Sequence, residues 1–314
     1  MTFIIAAAGT GGHVFPGLAV GEALVTRGTP KDSILYVGGD RLEKSIYPGS
    51  GFPFLQVEVR GLQRSMTTKN LSLPRVVWRA RDAIIAAIEK REVKVVLGMG
   101  GYVTIPAALA ARSSRSALLV AEQNAGGGLA NRVAARWAER TFTSFPDTEG
   151  LERGEWVGNP VRQALSNLNR EETRPEALAH YGLDPGYPVL GAVGGSLGAG
   201  VINGAVGDLV ENWEGNRIQV LHLTGESSLT PDNRSSDAVL WVQRSFEKRM
   251  ELFYAACDLV VARAGGGVAE LTVTSTPSIL IPGEFGSSGH QTANAAFLNE
   301  AGAAKVLLQD HLDL

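Results

Sequence analysis

The chain has 314 residues, more than one hydrophobic core usually spans, so two domains are expected. Its 29 basic against 32 acidic residues leave a net charge of -3, which excludes a global electrostatic drive toward nucleic acid or anionic lipid. The single cysteine, Cys257, excludes an internal disulfide and a cysteine metal cluster, and suits a reducing compartment.

The chain opens with an apolar strand, Phe3–Ala8, then a glycine-rich turn, Gly9-Thr10-Gly11-Gly12, then a helix opened by Pro16. No basic segment precedes the apolar run, so it reads as a strand and not as a secretory leader. Strand, glycine turn and helix N-terminus together make a corner suited to anions, and His13 stands at its mouth. His13 reads either as a loop histidine bonding a carbonyl or as a group that moves protons. The glycine spacing fits neither a dinucleotide fingerprint nor a Walker loop, because no Lys-Ser or Lys-Thr follows.

A second strand is expected at Ile34–Val37. The stretch Leu71–Ile88 reads as a helix with its Val77–Ile84–Ile88 face on a sheet. Leu71, Leu73 and Trp78 are left over, and with Arg75, Arg79 and Arg81 they could dock at a lipid interface. Strand Val93–Leu97 leads into Gly98-Met99-Gly100-Gly101-Tyr102, where Tyr102 is either packed core or cleft lining. The uncharged run Val95–Ala111 is short of the roughly 20 apolar residues of a membrane span and is broken by glycines and Pro106. Strand Leu118–Glu122 ends in Glu122-Gln123-Asn124, unlike a core sequence; the plainer reading is turn and cap chemistry by Asn124. Sequon-like triplets at Asn70 and Asn233 carry no weight without secretion.

The polar stretch Ser166–Glu176 looks solvated, and a second Rossmann-like domain is expected from Arg162, giving domains 1–161 and 162–314. Its first strand, Val189–Val193, repeats the opening pattern: Gly194-Gly195-Ser196 follows as a candidate phosphate cradle ahead of a helix. Further strands are expected at Gln219–Leu223, Leu259–Ala262 and Ser278–Ile281. After Leu259–Ala262 comes Arg263-Ala264-Gly265-Gly266-Gly267-Val268-Ala269-Glu270. Arg263 offers charge to a phosphate. Glu270, about two turns into the expected helix, is either a surface carboxylate or an acceptor for the two hydroxyls of a ribose. His290-Gln291 opens another helix with groups suited to sugar hydroxyls. Apolar strands without strict alternation, joined by helical segments, define a doubly wound α/β class with parallel sheets.

GTGGHVFPGLA, GMGGYVTIPAALAA, EQNAGGGLANRVAA, VGNPVR, GGSLGAGVIN, DLVVARAGGGVAEL and HQTANAAFLNEAGAA, in this order, resemble one family. It is the bacterial UDP-N-acetylglucosamine:undecaprenyl-pyrophosphoryl-MurNAc-pentapeptide N-acetylglucosaminyltransferases, which make lipid II from lipid I. The resemblance implies a GT-B fold, two Rossmann-like domains with parallel sheets facing across a cleft. The first domain would take the acceptor and sit on the cytoplasmic face of the membrane as a peripheral protein; the second would hold UDP-GlcNAc. It implies transfer with inversion, and His13 as general base. Thr10, Gly11 and Gly12 would meet phosphate. Asn124, Arg162, Ser196, Arg263, Gly266, Gly267, Val268, Glu270 and Gln291 would bind the donor, with Glu270 on the ribose and Phe246 beside the uracil. Gly100, Gly101 and Tyr102 would lie on the acceptor side.

No cofactor is required by the sequence. A divalent cation is compatible with the reaction, but no Asp-x-Asp motif or other protein site for one is evident. The diphosphate charge can be offset by helix N-termini after Gly195 and Gly265, with Arg263 and Arg162. The implied partners are UDP-GlcNAc, lipid I, the membrane surface and other cell-wall enzymes, with no nucleic acid. Three departures from the family stand out: Glu247-Lys248-Arg249 after Phe246, Ser287-Ser288-Gly289 before His290, and an end at Leu314 shorter than the family's. They keep open a shortened homologue that binds nucleotide-sugar without catalysis, and the second-domain motifs would serve a related UDP-sugar lipid transferase equally, although the first-domain set GGHVFPG with EQN favours the peptidoglycan enzymes.

Overall fold

The structure is a computed structural model that describes residues 1–59, 72–225, 234–283 and 289–312. Asn70, Leu71, Asn233, Ser287 and Ser288 lie outside the described residues. The chain divides into two compact units, Met1–Arg162 and Gln163–Leu314.

Unit 1 runs β1 (Phe3–Ala6), α1 (Gly11–Thr26), β2 (Ile34–Gly38), α2 (Glu43–Gly49), β3 (Phe54–Gln56), α3 (Leu73–Arg91), β4 (Val95–Gly98), α4 (Thr104–Ser114), β5 (Ala117–Glu122), α5 (Leu129–Ala134), β6 (Arg140–Thr143) and β7 (Glu155–Trp156). Its sheet is parallel throughout, in the order β3-β2-β1-β4-β5-β6-β7. The absence of polar alternation in β1 has a direct cause. Ile4, Ala6 and Ala8 pack with Ile84 and Ile88 of α3 and Ala107 and Ala111 of α4, whereas Ile5 and Ala7 pack with Val14 and Leu18 of α1 and Tyr47 of α2. Both faces of the strand are core.

Unit 2 runs α6 (Gln163–Ser166), α7 (Arg170–Tyr181), β8 (Val189–Val193), α8 (Gly200–Asn212), β9 (Ile218–Leu223), β10 (Arg234–Ser235), β11 (Val239–Arg244), α9 (Met250–Ala256), β12 (Leu259–Ala262), α10 (Gly267–Val273), β13 (Ser278–Leu280), α11 (His290–Glu300) and β14 (Lys305–Val306). The sheet order is β10-β11-β9-β8-β12-β13-β14, and the edge strand β10 is antiparallel, a departure from the all-parallel expectation.

Three local expectations are corrected. Helix α1 begins at Gly11, so Pro16 lies inside it and His13 sits in its first turn. The buried stripe of α3 is Val76, Ala80, Ile84 and Ile88; Val77 is only half-buried. Glu270 lies in the first turn of α10, because that helix opens at Gly267. The polar 166–176 stretch holds no buried residue, as expected, and is largely helical: Asn169 caps α7 through the Glu172 amide. Arg170 and Arg174 of that helix donate to the Cys257, Ala255 and Ala256 carbonyls at the end of α9.

A buried histidine ties α8 to the sheet of unit 2. His222 is 1 % exposed, and its Nε2 lies 3.0 Å from Asn203 Oδ1. Asn203 Nδ2 donates to the Thr224 carbonyl at 2.9 Å, which can only accept, so the amide oxygen faces the histidine and Nε2 carries the proton. Burial lowers the His222 pKa from 6.5 to about 4. The unfolded chain therefore takes up a proton below about pH 6.5 that the folded chain refuses until about pH 4, and stability falls as pH drops through that window. The loss attributable to this residue is about 3 kcal/mol at most. Urea titrations at pH 7 and pH 4.5 should show a steeper loss for wild type than for His222→Gln, and parallel losses would reject the buried neutral histidine.

Candidate functional site

In a doubly wound sheet, ligands meet the loops at the carboxyl ends of the two strands where the winding reverses. In unit 1 those strands are β1 and β4, with Ala6 opposite Gly98. In unit 2 they are β8 and β12, with Val193 opposite Ala262. The glycine motifs singled out in the sequence follow these four strands.

The loops of unit 1 close on His13. Thr10 is the N-cap of α1 but its side chain makes no cap bond; its Oγ1 instead lies 3.2 Å from His13 Nδ1. Gly100, at φ +96°, presses against the imidazole: a Cβ there would come within 2.6 Å of His13 Cδ2 and 2.8 Å of Nε2. Gly101, at φ +77°, passes so close to the first loop that a Cβ would stand 2.3 Å from the Ala8 carbonyl. These two positions therefore need glycine for both space and backbone angle. Tyr102 lies against Gly9, with Arg41 over its ring at 5.5 Å. Thr10, Gly11, Gly12, His13, Gly100, Gly101 and Tyr102 thus belong to one constellation. Arg162 falls in the same unit, with its guanidinium 5.5 Å from the Phe15 ring.

Two buried carboxylates hold these loops: Glu122, marked in the sequence only as part of its Glu-Gln-Asn triplet, and Glu43, which had no mark there. Glu122, 2 % exposed, accepts five N–H bonds: from Gln123 N, Asn124 N and Asn124 Nδ2 on Oε1, and from Gly128 N and Asn131 Nδ2 on Oε2, all between 2.8 and 3.1 Å. Asn124 is therefore oriented by Glu122 through both its amide groups. Asn131, bound to the same carboxylate, reaches the other loops: a Cβ on Gly100 would lie 3.5 Å from its Nδ2. Glu43 of α2, 1 % exposed, accepts from Gly9 N at 3.2 Å and Gly39 N at 2.9 Å, fixing the start of the His13 turn. An apolar cavity of about 330 Å³ also occurs in unit 1, lined by Leu97, Leu119, Ala121 and Phe142, but it offers little chemistry.

In unit 2, the 194–198 loop turns on Gly195 and Gly198, both at positive φ, and Gly198 N bonds Gly195 O at 2.9 Å. Ser196 lies in that turn, ahead of α8, whose N-cap Ala199 supplies no side-chain bond. Arg263 Nη1 donates to the Ile281 and Pro282 carbonyls at 3.1 Å each, so the guanidinium also clamps the loop after β13. Gln291, in the first turn of α11, accepts from Gly283 N at 2.8 Å and joins the same cluster. Glu270 accepts from the Tyr254 hydroxyl at 3.0 Å. Gly266 and Gly267 open α10, and the Val268 side chain is buried.

Phe246 is half-buried in a loop held by its neighbour. Glu247 accepts from Tyr181 at 3.0 Å and from Arg249 N at 2.7 Å, with His180 at 3.4 Å. Burial works against this carboxylate, but those donors keep its pKa below the usual range. The unusual 247–249 segment therefore anchors the loop to α7. Among the described residues, no group of three or more His, Cys, Asp or Glu gathers to hold a metal ion.

Paired Rossmann-like sheets with glycine loops at both reversal points fit the GT-B class of glycosyltransferases. The glycosyltransferase family 28 N-terminal domain model matches residues 3–143 and the C-terminal domain model residues 189–314, and the chain belongs to this family. The relatives carry the name UDP-N-acetylglucosamine--N-acetylmuramyl-(pentapeptide) pyrophosphoryl-undecaprenol N-acetylglucosamine transferase. The one from Halorhodospira halophila is 40% identical over 319 residues, covering 99% of this chain and 86% of the relative. That from Thermobifida fusca is 36% identical, covering 99% and 82%. The crystal structure of Acinetobacter baumannii MurG aligns with TM-score 0.71 and 26% identity, covering 98% of this chain and 86% of that one.

Replacing Glu122 by Gln would turn an NH₂ donor toward N–H donors in a buried position. We expect Glu122→Gln to lose roughly 2–4 kcal/mol of stability and to raise amide exchange at Asn124 and Gly128. Urea unfolding and hydrogen exchange read both, and unchanged values would reject Glu122 as the organiser.

Proposed function

We propose that this chain transfers N-acetylglucosamine from UDP-GlcNAc to the MurNAc 4-hydroxyl of undecaprenyl-pyrophosphoryl-MurNAc-pentapeptide, with inversion, giving lipid II. The observation that carries the chemistry is His13, held by Thr10 Oγ1 at a strand-reversal point. A histidine acts as base through an unprotonated nitrogen. The working tautomer carries its proton on Nδ1, donated to Thr10 Oγ1, and leaves Nε2 to receive the acceptor proton. The hydroxyl oxygen then bonds to the anomeric carbon as the bond to UDP breaks.

The leaving diphosphate gains negative charge. The 194–196 amides, the Ser196 hydroxyl and the N-terminus of α8 are suited to it, and Arg263 adds positive charge. Arg162, Thr10, Gly11, Gly12 and Asn124 complete the polar contacts on this reading. Glu270 takes the ribose diol, Gln291 the sugar hydroxyls and Phe246 the uracil face, with Gly266, Gly267 and Val268 contributing backbone. Gly100, Gly101 and Tyr102 flank the acceptor. The residues present supply the charge balance, and no metal step is invoked.

The acceptor's lipid calls for a membrane-facing surface. No helix among the described residues is long and apolar enough to cross a membrane. Unit 1 instead carries a linked aromatic and arginine face. Trp78, 52% exposed, lies under Arg81 at 4.6 Å; Arg81 donates to Ser113 Oγ at 2.9 Å; and the adjoining Arg112 lies 5.9 Å from the ring of Trp137, which is 37% exposed. Tryptophan favours the water–lipid boundary and arginine favours anionic headgroups. Peripheral attachment at the cytoplasmic face of the membrane, near other cell-wall enzymes, follows from this reading.

His13→Ala should lower kcat by ~10²–10⁴ while leaving UDP affinity nearly intact. Undiminished turnover would reject the base. Trp78→Glu should reduce co-sedimentation with vesicles containing anionic lipid. If sedimentation is undiminished, the face lies elsewhere.

A further inference from the structure

We infer that Tyr254 is a positioning residue for the donor ribose, acting through Glu270. The inference rests on the reading that Glu270 receives the ribose diol. Tyr254 is 2 % exposed and belongs to α9, while Glu270 stands half-buried in the first turn of α10. An ionised carboxylate only accepts, so in the 3.0 Å contact the Tyr254 hydroxyl donates to Glu270 Oε2.

Two hydroxyls on neighbouring ribose carbons are met by a carboxylate only when its plane is set correctly. A glutamate has broad freedom about its last torsion, and holding one oxygen removes it. The Tyr254 ring is suited to this because it is buried and packs edge-on against Phe253, with centroids 5.4 Å apart and planes at 76°. Its hydroxyl lies at the head of α10, where a Cβ on Gly267 would stand 4.0 Å away. The carboxylate is thus oriented before the nucleotide arrives.

The position of Tyr254 in the chain gives the contact a second consequence. Helix α9 follows directly on the 246–249 loop, and its start is tied back to that loop through Leu252 N on Arg249 O at 2.9 Å. The loop carrying the aromatic assigned to the uracil therefore leads straight into the helix whose hydroxyl orients the ribose carboxylate. Base and ribose recognition are set by one continuous segment, and selectivity for ribonucleotide donors resides partly in a residue that never touches them.

The test is equilibrium binding of UDP and of 2′,3′-dideoxy-UDP to wild type, Tyr254→Phe and Glu270→Gln, using the full chain. Removing the hydroxyl leaves the ring packing in place, and thermal unfolding of each variant checks the fold. Wild type should prefer UDP by ~10-fold or more, Tyr254→Phe by roughly threefold or less, and both should bind dideoxy-UDP equally. A Tyr254→Phe protein that keeps the wild-type preference while Glu270→Gln loses it overturns the positioning role alone. Equal weakening of both nucleotides by Tyr254→Phe overturns it too, because that is a structural effect. A preference retained in Glu270→Gln removes the ribose role of Glu270 itself, and the inference falls with it.

Discussion

The loop architecture of unit 1 depends on one buried anion. Glu122 ends β5 with its carboxylate out of water and no cation beside it among its hydrogen-bond partners. Burying a charge costs several kcal/mol unless hydrogen bonds replace its hydration. Five N–H donors do so here, three of them backbone amides from residues 123, 124 and 128. The solvation requirement of the anion fixes the path of the chain: residues 123–131 must wrap back on the strand end to bring those donors in. Asn124 and Asn131 are placed as a result, and Asn131 meets the loop that abuts His13.

The same logic recurs at several other groups. Glu43 gathers the Gly9 and Gly39 amides ahead of the His13 turn. Arg263 and Gln291 are bound to the loop after β13, and Glu270 to Tyr254. In each case the partner lies on a different element from the group it holds, and the glycine motifs supply space for the approach. Preorganisation of this kind matters for charge development, because a site already oriented has little reorganisation left when the reaction occurs.

These dependencies explain what could be read from the sequence. The eight expected strands appear within one or two residues of their ends, because a strand covered on both faces must be apolar along its whole length, as β1 is. Edge strands escape that requirement. The edge strands Glu155–Trp156 and Lys305–Val306, and Arg140–Thr143 next to an edge, are short or polar, with nothing to separate them from loops. The start of α1 was misplaced because glycines read as a turn, although Gly11 and Gly12 already have helical geometry. Motif residues such as His13 and Glu270 were legible from their place after strands. Glu43 and Tyr254 were not, since whether a carboxylate or hydroxyl turns inward depends on partners distant in sequence: Glu43 and Gly9 are 34 residues apart. Glu122 stood out only as part of its triplet, although its partners all lie between residues 123 and 131.

On the proposed reading the two units also divide the chemical problem. Proton removal requires a base with a fixed tautomer, and the Thr10–His13 pair of unit 1 provides a place for one. Diphosphate departure requires oriented positive ends and a held nucleotide, and the β8 and β12 loops of unit 2 are of that kind. Loss of a group that acts only as the proton leaves appears in kcat, whereas loss of a group that grips the nucleotide before and during reaction appears in donor affinity. A chain that separates the two functions onto two sheets allows each to be altered with little effect on the other. On the same reading the exceptions include residues on the 194–198 loop, where ground-state phosphate and departing phosphate would meet the same amides, and substitutions there should change both quantities together.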